Sequence, residues 1–289
     1  MCIRDRGLVK NREKILNEAV QYFKKALEIN PYHEKARKAL DNVTKKSFND
    51  GNRAYKRGDL DGALEAYYKV LEFDEKFYQA HYQIGVIKAK MGDRNGAIGH
   101  YQQALDINPN FYKGWYAMGL SKKAISNNEG ALASFEAAVN VHPAYDKAFG
   151  AMGEIYLSEK KYDQAIEVLN TAVQVNSKYS KGYSTLGVIY SEMEEWANAA
   201  NNLVLATTHN EKDAMAWYRL ALAYNQLDEC DRAEEAARNS TDRKPSFGGG
   251  WIELGVATWC GGKGNKVASV NALEKARKDR TWRKIAEYE

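Results

Sequence analysis

The stretch WYAMGLSKKAISNNEGALASFEAAVNVHP, residues 115–143, holds two stripes of residues with the spacing of α-helices. In the first stripe, three residues follow the leading aromatic residue by three, four and seven positions, which is one helix face: Trp115, Met118, Gly119 and Lys122. In the second stripe the spacings are four and three: Ala131, Phe135 and Ala138. The polar residues Ser126-Asn127-Asn128 between the stripes are typical of a turn. The stretch therefore predicts two helices packed against each other.

The same pattern recurs along the chain with a 34-residue period. Pro109 and Pro143 lie one such period apart, and Pro143 and Pro245 lie three periods apart. Three columns keep the register: small residues at Gly51, Gly85, Gly119, Gly153, Gly187, Ala221 and Gly255; alanines at Ala63, Ala97, Ala131, Ala165, Ala199 and Ala233; and rings at Trp115, Phe149, Tyr183, Trp217 and Trp251. One helix pair of this size cannot bury its apolar faces alone, so neighbouring pairs are expected to stack.

This pattern resembles the tetratricopeptide repeat family, whose repeats carry an aromatic residue, Leu-Gly, Tyr, Ala, Phe, Ala and Pro at fixed offsets. Residues 115–143 depart from it at Lys122, where the family has tyrosine, and the next repeat departs at Ser177, where the family has proline. Seven repeats are predicted to start at Thr44, Tyr78, Tyr112, Asp146, Ser180, Ala214 and Gly248. The resemblance implies an all-α fold, a right-handed α-solenoid of antiparallel helix pairs, with the first helix of each repeat on the concave side.

The two ends of the chain depart from the 34-residue period. Pro31 and Pro109 are separated by two periods and ten further positions, and we expect the extra residues to lengthen one helix from about His33 to about Lys56. The predicted division is a partial repeat and the start of that helix in 1–43, seven repeats in 44–279, and the start of a capping helix in 280–289. Such incomplete ends are typical of a fragment of a longer, bacterial-type repeat protein.

Composition and charge restrict the class of protein. The 289 residues are 44% hydrophobic and 28% charged, as in folded rather than disordered chains. Because 42 basic and 38 acidic residues give a net charge of only +4, no nucleic-acid partner is expected, and no apolar run predicts membrane insertion in this segment. The cysteines, Cys2, Cys230 and Cys260, form no CxxC pair. Their spacing argues against a disulfide framework or a thiolate zinc site and is compatible with a reducing compartment such as the cytoplasm.

No pattern in the sequence indicates catalysis, a cofactor or a metal site. Gly261-Gly262-Lys263-Gly264 is glycine-rich, but a phosphate-binding loop needs glycine at the position of Ala257 and Ser or Thr at the position of Gly264, so we predict a flexible turn. The five histidines lack HxxxH or HExxH spacing and are assigned to surface or packing roles: His33, His81, His100, His142 and His209. The sequence therefore predicts a protein that is not an enzyme.

The first helix of each repeat has a second face, about 180° from the stripe that packs against its partner helix. The resemblance makes this face a groove lining, and we predict partner contacts at Asn52, Tyr82, Val86, Lys113, Tyr116, Leu120, Lys147, Lys181 and Tyr218. Tyrosine supplies contact area at low entropic cost, and lysines would attract an acidic segment or a free C-terminus. The alternative is that the lysines are merely solvated and the tyrosines pack between repeats.

The leading hypothesis for function is a non-catalytic protein-interaction scaffold that binds a peptide or a partner helix in this groove. The alternative is the repeat arm of a larger enzyme, such as a glycosyltransferase or a sulfotransferase. RNA binding fits less well, because the residues at the repeated positions of the 34-residue period resemble those of tetratricopeptide repeats and the net charge is small. The carboxylate clamp by which some family members hold chaperone C-termini is not expected, since only Asn52 and Lys113 occupy its slots correctly. The sequence leaves the partner, the compartment and the oligomeric state open.

Overall fold

The computed structural model describes residues 3–260 and 264–288, with side chains from Ile15 onward. In these ranges the chain forms sixteen α-helices and no β-strand: α1 Ile3–Ile29, α2 Glu34–Lys56, α3 Leu60–Phe73, α4 Tyr78–Lys90, α5 Arg94–Ile107, α6 Tyr112–Ala124, α7 Asn128–Val141, α8 Asp146–Ser158, α9 Tyr162–Val175, α10 Ser180–Glu192, α11 Trp196–His209, α12 Ala214–Gln226, α13 Cys230–Arg243, α14 Gly248–Trp259, α15 Lys266–Ala276 and α16 Arg283–Tyr288. From α4 on, every first helix begins at the residue where the period places a repeat start. Cys2 and the predicted turn at Gly261-Gly262-Lys263 lie outside the described residues.

The chain divides into two compact units, residues 1–141 and 142–289. In the first unit α2 packs on α3, α4 on α5 and α6 on α7; in the second, α8 packs on α9, α10 on α11, α12 on α13 and α14 on α15. Within each unit a second helix also packs on the first helix of the next repeat. The alanine column is fully buried from Ala63 to Ala233. The prediction of an all-α fold built from consecutive helix pairs is confirmed.

The glycine column lets the two helices of a repeat approach closely. A Cβ atom at Gly119 would lie 2.5 Å from Cε1 of Phe135, and one at Gly153 would lie 2.5 Å from Cγ of Leu169. Neither position accepts a larger residue unless the covering side chain or the second helix shifts. The covering residue comes from the second helix of the same repeat: Tyr67, Tyr101 and Phe135 in the first unit, Leu169, Leu203 and Leu273 in the second. The small residues of this column therefore make room for a large side chain of the paired helix.

Six consecutive helix pairs, from α2–α3 to α12–α13, are each joined by a turn that contains one residue in the left-handed backbone region. In the first two turns this residue is glycine, with φ of 83° at Gly58 and 90° at Gly92. The equivalent positions in the next four turns carry other residues, with φ between 56° and 62°: Ser126, Lys160, Glu194 and Asp228. Because these six positions follow the 34-residue period, the six hairpins turn in the same way.

Beyond these regular pairs, the ends of the repeat array are built differently. Helix α2 runs without a break over Glu34–Lys56, where the ten extra residues predict an extended helix, and His33 caps its first turn through Nδ1. Near the other end, Trp282 and Ala286 pack against α14 and α15. The division after residues 43 and 279 stays a prediction, because the boundary between the compact units falls after Val141.

The cysteine prediction is wrong, because Cys230 and Cys260 form a disulfide bond with their Cα atoms 5.9 Å apart. Cys230 is the first residue of α13 and Cys260 follows the last turn of α14. In this architecture the start of a second helix lies beside the end of the next first helix, so residues separated by 30 positions meet in space. The absence of a CxxC pair therefore does not exclude a single bond. Compatibility with a reducing compartment no longer follows from the cysteines.

Candidate functional site

The predicted partner contacts lie on the first helices, on the side that we call the first-helix face. In the first unit this face belongs to α2, α4 and α6, and in the second to α8, α10, α12 and α14. The structure places six of the predicted residues in the first unit: Asn52, Tyr82, Val86, Lys113, Tyr116 and Leu120. It places three in the second unit: Lys147, Lys181 and Tyr218. The lysines that occupy equivalent positions in successive repeats are thus shared between two units.

In the first unit, Asn52 and Tyr82 contribute to packing between helices. Oδ1 of Asn52 accepts a hydrogen bond of 2.7 Å from the hydroxyl of Tyr67, a buried residue of α3. Tyr82 is half-buried, with its ring centroid 4.9 Å from that of Phe111 in a T-shaped contact and 5.8 Å from that of Tyr101. Burial raises the pKa of Tyr82. These contacts are those of the packing alternative, and a partner-binding role for the two residues stays a prediction.

The other predicted residues of the first unit are more open to a partner. Leu120 is 41% exposed, and Lys113 is exposed with its ammonium group 5.8 Å from the ring centroid of Tyr112. Val86 and Tyr116 are half-buried, the latter with its ring 5.6 Å from the ring of a core phenylalanine. The first unit therefore presents a surface of apolar and aromatic groups together with a cation.

In the second unit, the predicted lysines are solvent-exposed. Lys147 lies at the start of α8 and is exposed. Nζ of Lys181, at the start of α10, lies 2.5 Å from Oε1 of Glu154, and the lysine side chain is 67% exposed. Because the lysine end of this ion pair is largely exposed to solvent, an acidic group of a partner can compete with Glu154 for Lys181.

Tyr218 is enclosed by other aromatic side chains of the second unit. Its ring centroid lies 5.1 Å from that of Phe247 and 5.7 Å from that of Trp282, both in edge-on contacts. Burial raises the pKa of Tyr218 to about 12. The ring therefore joins α12 to the segments before and after the last helix pair, as the packing alternative describes, and partner contact through it stays a prediction.

A cavity of about 270 Å³ opens on the first-helix face of the second unit. Three consecutive first helices line it: α8 with Glu154, Leu157 and Ser158, α10 with Ser184, Thr185 and Val188, and α12 with Arg219. The hydroxyls of Ser158 and Thr185 donate hydrogen bonds to backbone carbonyls of their own helices. Arg219 is half-buried, and its guanidinium group has no hydrogen-bond or ion-pair partner within the described part of the chain.

The electrostatics of this cavity favour an anion. Its carboxylate, on Glu154, is already paired with Lys181. The guanidinium group of Arg219 carries a fork of N–H donors that matches a carboxylate, and the residue lines the cavity. A carboxylate or a similar planar anion entering the cavity would therefore find a charge and a donor geometry that no described side chain satisfies.

The sequence analysis did not single out Arg219. The predicted cation positions are Lys113, Lys147 and Lys181, and the next position in that series is Met215. Arg219 lies four residues further along the same helix, which is one turn on the same side. A search for cations within one turn of the series, rather than at its own positions, would have found it.

Two further findings concern the membrane and the metal ions, for which the sequence predicts no role. Among the described residues, no helix combines the length and the apolar character needed to cross a bilayer. In the same part of the chain, no group of three or more His, Cys, Asp or Glu side chains is arranged to hold a metal ion.

Helix pairs repeated at a fixed period place the chain in the class of helical-repeat proteins. Comparison with protein families identifies which family within that class it matches. Residues 7–41 and 78–111 match tetratricopeptide repeat families, residues 51–92 match a TPR repeat family, and residues 116–240 match the C-terminal ARM domain of tetratricopeptide repeat protein 21. The chain belongs to the tetratricopeptide repeat family. No curated protein matches it significantly in sequence.

Solved structures share this fold. The segment of MamA from residue 41 to its end, from Desulfovibrio magneticus RS-1, is 23% identical with a TM-score of 0.53, over 59% of this chain and 96% of that one. YrrB, described as a TPR protein with an unusual peptide-binding site, is 17% identical with a TM-score of 0.56, over 65% and 96%. The C-terminal part of a TPR repeat-containing protein from Cytophaga hutchinsonii is 14% identical with a TM-score of 0.67, over 83% and 98%. At these identities the likeness shows the fold alone.

Proposed function

We propose that the chain is a non-catalytic scaffold whose first-helix face binds an extended peptide, and that the cavity at Arg219 receives an acidic side chain or the C-terminal carboxylate of that peptide. The observation that carries the proposal is an arginine whose guanidinium group has no partner among the described residues, in a cavity formed by three consecutive repeats. A carboxylate matches the fork of N–H donors on the guanidinium group, so a carboxylate ligand would form charge-assisted hydrogen bonds there.

The arrangement of the cavity suits an extended ligand. Because α8, α10 and α12 each contribute lining residues, a peptide that crosses them contacts one repeat after another. The exposed ammonium groups of Lys147 and Lys181 lie on two of these helices and add positive charge for association with an acidic segment. YrrB, which shares the fold, is described as having a peptide-binding site, and this supports a peptide as the class of ligand.

The chemistry of the cavity favours binding over turnover. Its lining residues include no histidine and no cysteine. The hydroxyls of Ser158 and Thr185 donate to the backbone carbonyls of Ile155 and Lys181, at 2.7 and 2.9 Å, rather than to a base that would activate them as nucleophiles, and the carboxylate of Glu154 is paired with Lys181. Groups arranged in this way can orient a ligand, which supports a binding role.

The proposal is tested by selecting ligands from a library of random peptides displayed with free C-termini. Enriched peptides are synthesised with free and with amidated C-termini, and their Kd values for the full chain are measured by fluorescence polarisation. We expect Arg219→Gln to weaken binding by about tenfold to a hundredfold, the value of a charge-assisted hydrogen bond. Amidation weakens binding to the same extent if the terminal carboxylate is the group bound.

The matched control is Arg238→Gln, which removes an exposed arginine of α13 that pairs with Glu234. Its affinity should stay within about twofold of that of the unchanged protein, since a solvated pair away from the cavity contributes little. Equal affinities of the Arg219→Gln and Arg238→Gln variants would reject the cavity as the binding site. Failure to enrich any peptide would reject peptide binding.

A further inference from the structure

Two histidine side chains of the first unit face each other across a helix pair. His81 lies in α4 and is buried, with 9% of its surface exposed, and His100 lies in α5 and is half-buried. Their Nδ1 atoms are 3.5 Å apart and their ring centroids 5.8 Å apart. The sequence separates these residues by 19 positions, so a search for HxxxH or HExxH spacing passes over them.

The outer nitrogen of each ring has its own partner. Nε2 of His81 lies 3.2 Å from the backbone carbonyl oxygen of Glu75. A carbonyl oxygen only accepts, so this nitrogen carries the proton, and Nδ1 of His81 presents a lone pair. Nε2 of His100 lies 3.5 Å from the hydroxyl of Tyr68. Because a hydroxyl both donates and accepts, His100 can adopt either neutral tautomer without losing this contact.

This freedom gives the pair two states. In the first, Nδ1 of His100 carries a proton, and this N–H group donates a hydrogen bond to Nδ1 of His81. In the second, the proton of His100 resides on Nε2 and is directed to Tyr68, and both Nδ1 lone pairs face the space between the rings. The second state needs only a change of tautomer. It has the donor set of a metal site in which a carbonyl and a hydroxyl orient the two imidazoles through their other nitrogens.

We propose that His81 and His100 form a two-imidazole site for a borderline divalent transition-metal ion of the zinc type, which joins α4 to α5. An ion about 2.05 Å from each nitrogen would see the two donors about 117° apart, close to the tetrahedral angle of about 109°. Neutral imidazole suits Zn²⁺, Cu²⁺ and Ni²⁺, whereas Mg²⁺ and Ca²⁺ prefer oxygen ligands. No third His, Cys, Asp or Glu ligand joins the pair in the described part of the chain, so water would complete the coordination of the bound ion.

The site is tested by isothermal titration of Zn²⁺ into the full chain, prepared without a histidine tag, stripped with EDTA and carrying Cys2→Ser so that this thiol cannot contribute. We expect one Zn²⁺ per chain, and no heat with Mg²⁺ as the alternative ion. His81→Gln and His100→Gln should each weaken Zn²⁺ binding by at least about tenfold, since each removes half of the protein ligands. The control His209→Gln removes an exposed histidine of the second unit and should leave binding unchanged.

A second measurement avoids any effect of the variants on folding. In the unchanged protein, the imidazole proton resonances of His81 and His100 should shift together as Zn²⁺ is added, while those of His209 stay in place. Absence of saturable Zn²⁺ binding, binding that persists in the His100→Gln variant, or ring resonances of the pair that do not move would each overturn the proposal.

Discussion

The left-handed residue shared by six of the hairpin turns allows a test in which the sign of the effect reverses between repeats. Lys160 and Glu194 are exposed and have φ of 56° and 59°. A residue with a Cβ atom pays about 1–2 kcal/mol for this backbone conformation. Glycine adopts it without strain, at an entropic cost of about 0.5–1 kcal/mol on folding. Lys160→Gly and Glu194→Gly should therefore each raise the free energy of unfolding by about 0.5–1 kcal/mol.

The reverse substitution at the first two turns should have the opposite effect. Gly58 and Gly92 have φ of 83° and 90°, and a Cβ atom at either position would meet nothing within 4 Å. Gly58→Ala and Gly92→Ala thus change the backbone preference alone, and each should lower the free energy of unfolding by about 1 kcal/mol. The absence of any new contact makes these variants the matched controls for the first pair.

The measurement is urea unfolding followed by circular dichroism, combined with hydrogen exchange by mass spectrometry. Repeat proteins unfold in parts, so exchange is needed to assign each change to its own hairpin. Protection should increase in α8 and α9 for the Lys160 variant and decrease in α2 and α3 for the Gly58 variant. If both substitutions changed protection in the same direction, the shared left-handed turn would be refuted.

Three other predictions concern the second unit, and the first of them has its control variant in the first unit. Gly153→Ala would place a methyl carbon 2.5 Å from a leucine carbon of the paired helix, and it should lower the free energy of unfolding by about 1–3 kcal/mol. In the same urea assay, the control Gly99→Ala, whose Cβ atom meets nothing within 4 Å, should raise the free energy of unfolding by up to about 1 kcal/mol. The Cys230–Cys260 disulfide joins residues with a sequence separation of 30, so its reduction should lower the stability of α13 and α14 against local opening by about 3–4 kcal/mol. Hydrogen exchange measures this opening, and exchange that reductant leaves unchanged would contradict the prediction. Hydrogen bonds from backbone N–H groups lower the pKa of Asp279. The carboxylate therefore stabilises the fold at pH values above its unfolded pKa of about 3.9, and this stabilisation is lost as pH falls through the lower folded pKa. Asp279→Asn should flatten the pH dependence of Tm below about pH 4, and an unchanged profile would contradict this prediction.

Repeat periodicity predicts most of the backbone, because each repeat uses the same local solution. The close contact at Gly153 and the turns at Gly58 and Gly92 follow from residue type and spacing alone. The disulfide between Cys230 and Cys260 does not, since it depends on which helix ends become neighbours after stacking. The fold contains that information, so the pairing could have been inferred once the register was known.

Side-chain states at the candidate site are less predictable than the backbone. The pairing of Lys181 with Glu154 and the isolation of Arg219 among the described side chains depend on rotamers of long side chains in adjacent repeats. Residue spacing places such groups on the same face and leaves open which of them meet. The facing of His81 and His100 is likewise set by helix packing across a turn rather than by any sequence motif.

Each glycine of the column faces a large side chain of the same repeat. This pairing also determines which lengths of sequence can be inserted or deleted without separating the two residues. Removing residues 146–179 would delete Gly153 together with Leu169, the side chain that covers it, while Gly119 would keep Phe135 and Gly187 would keep Leu203. A deletion of equal length that begins in α7 before Phe135 would instead place Gly119 opposite Leu169, a side chain from another repeat. Gene duplication or loss in steps that follow the repeat boundary therefore keeps each glycine of the column with the side chain that now packs against it, and steps that cut between the two do not.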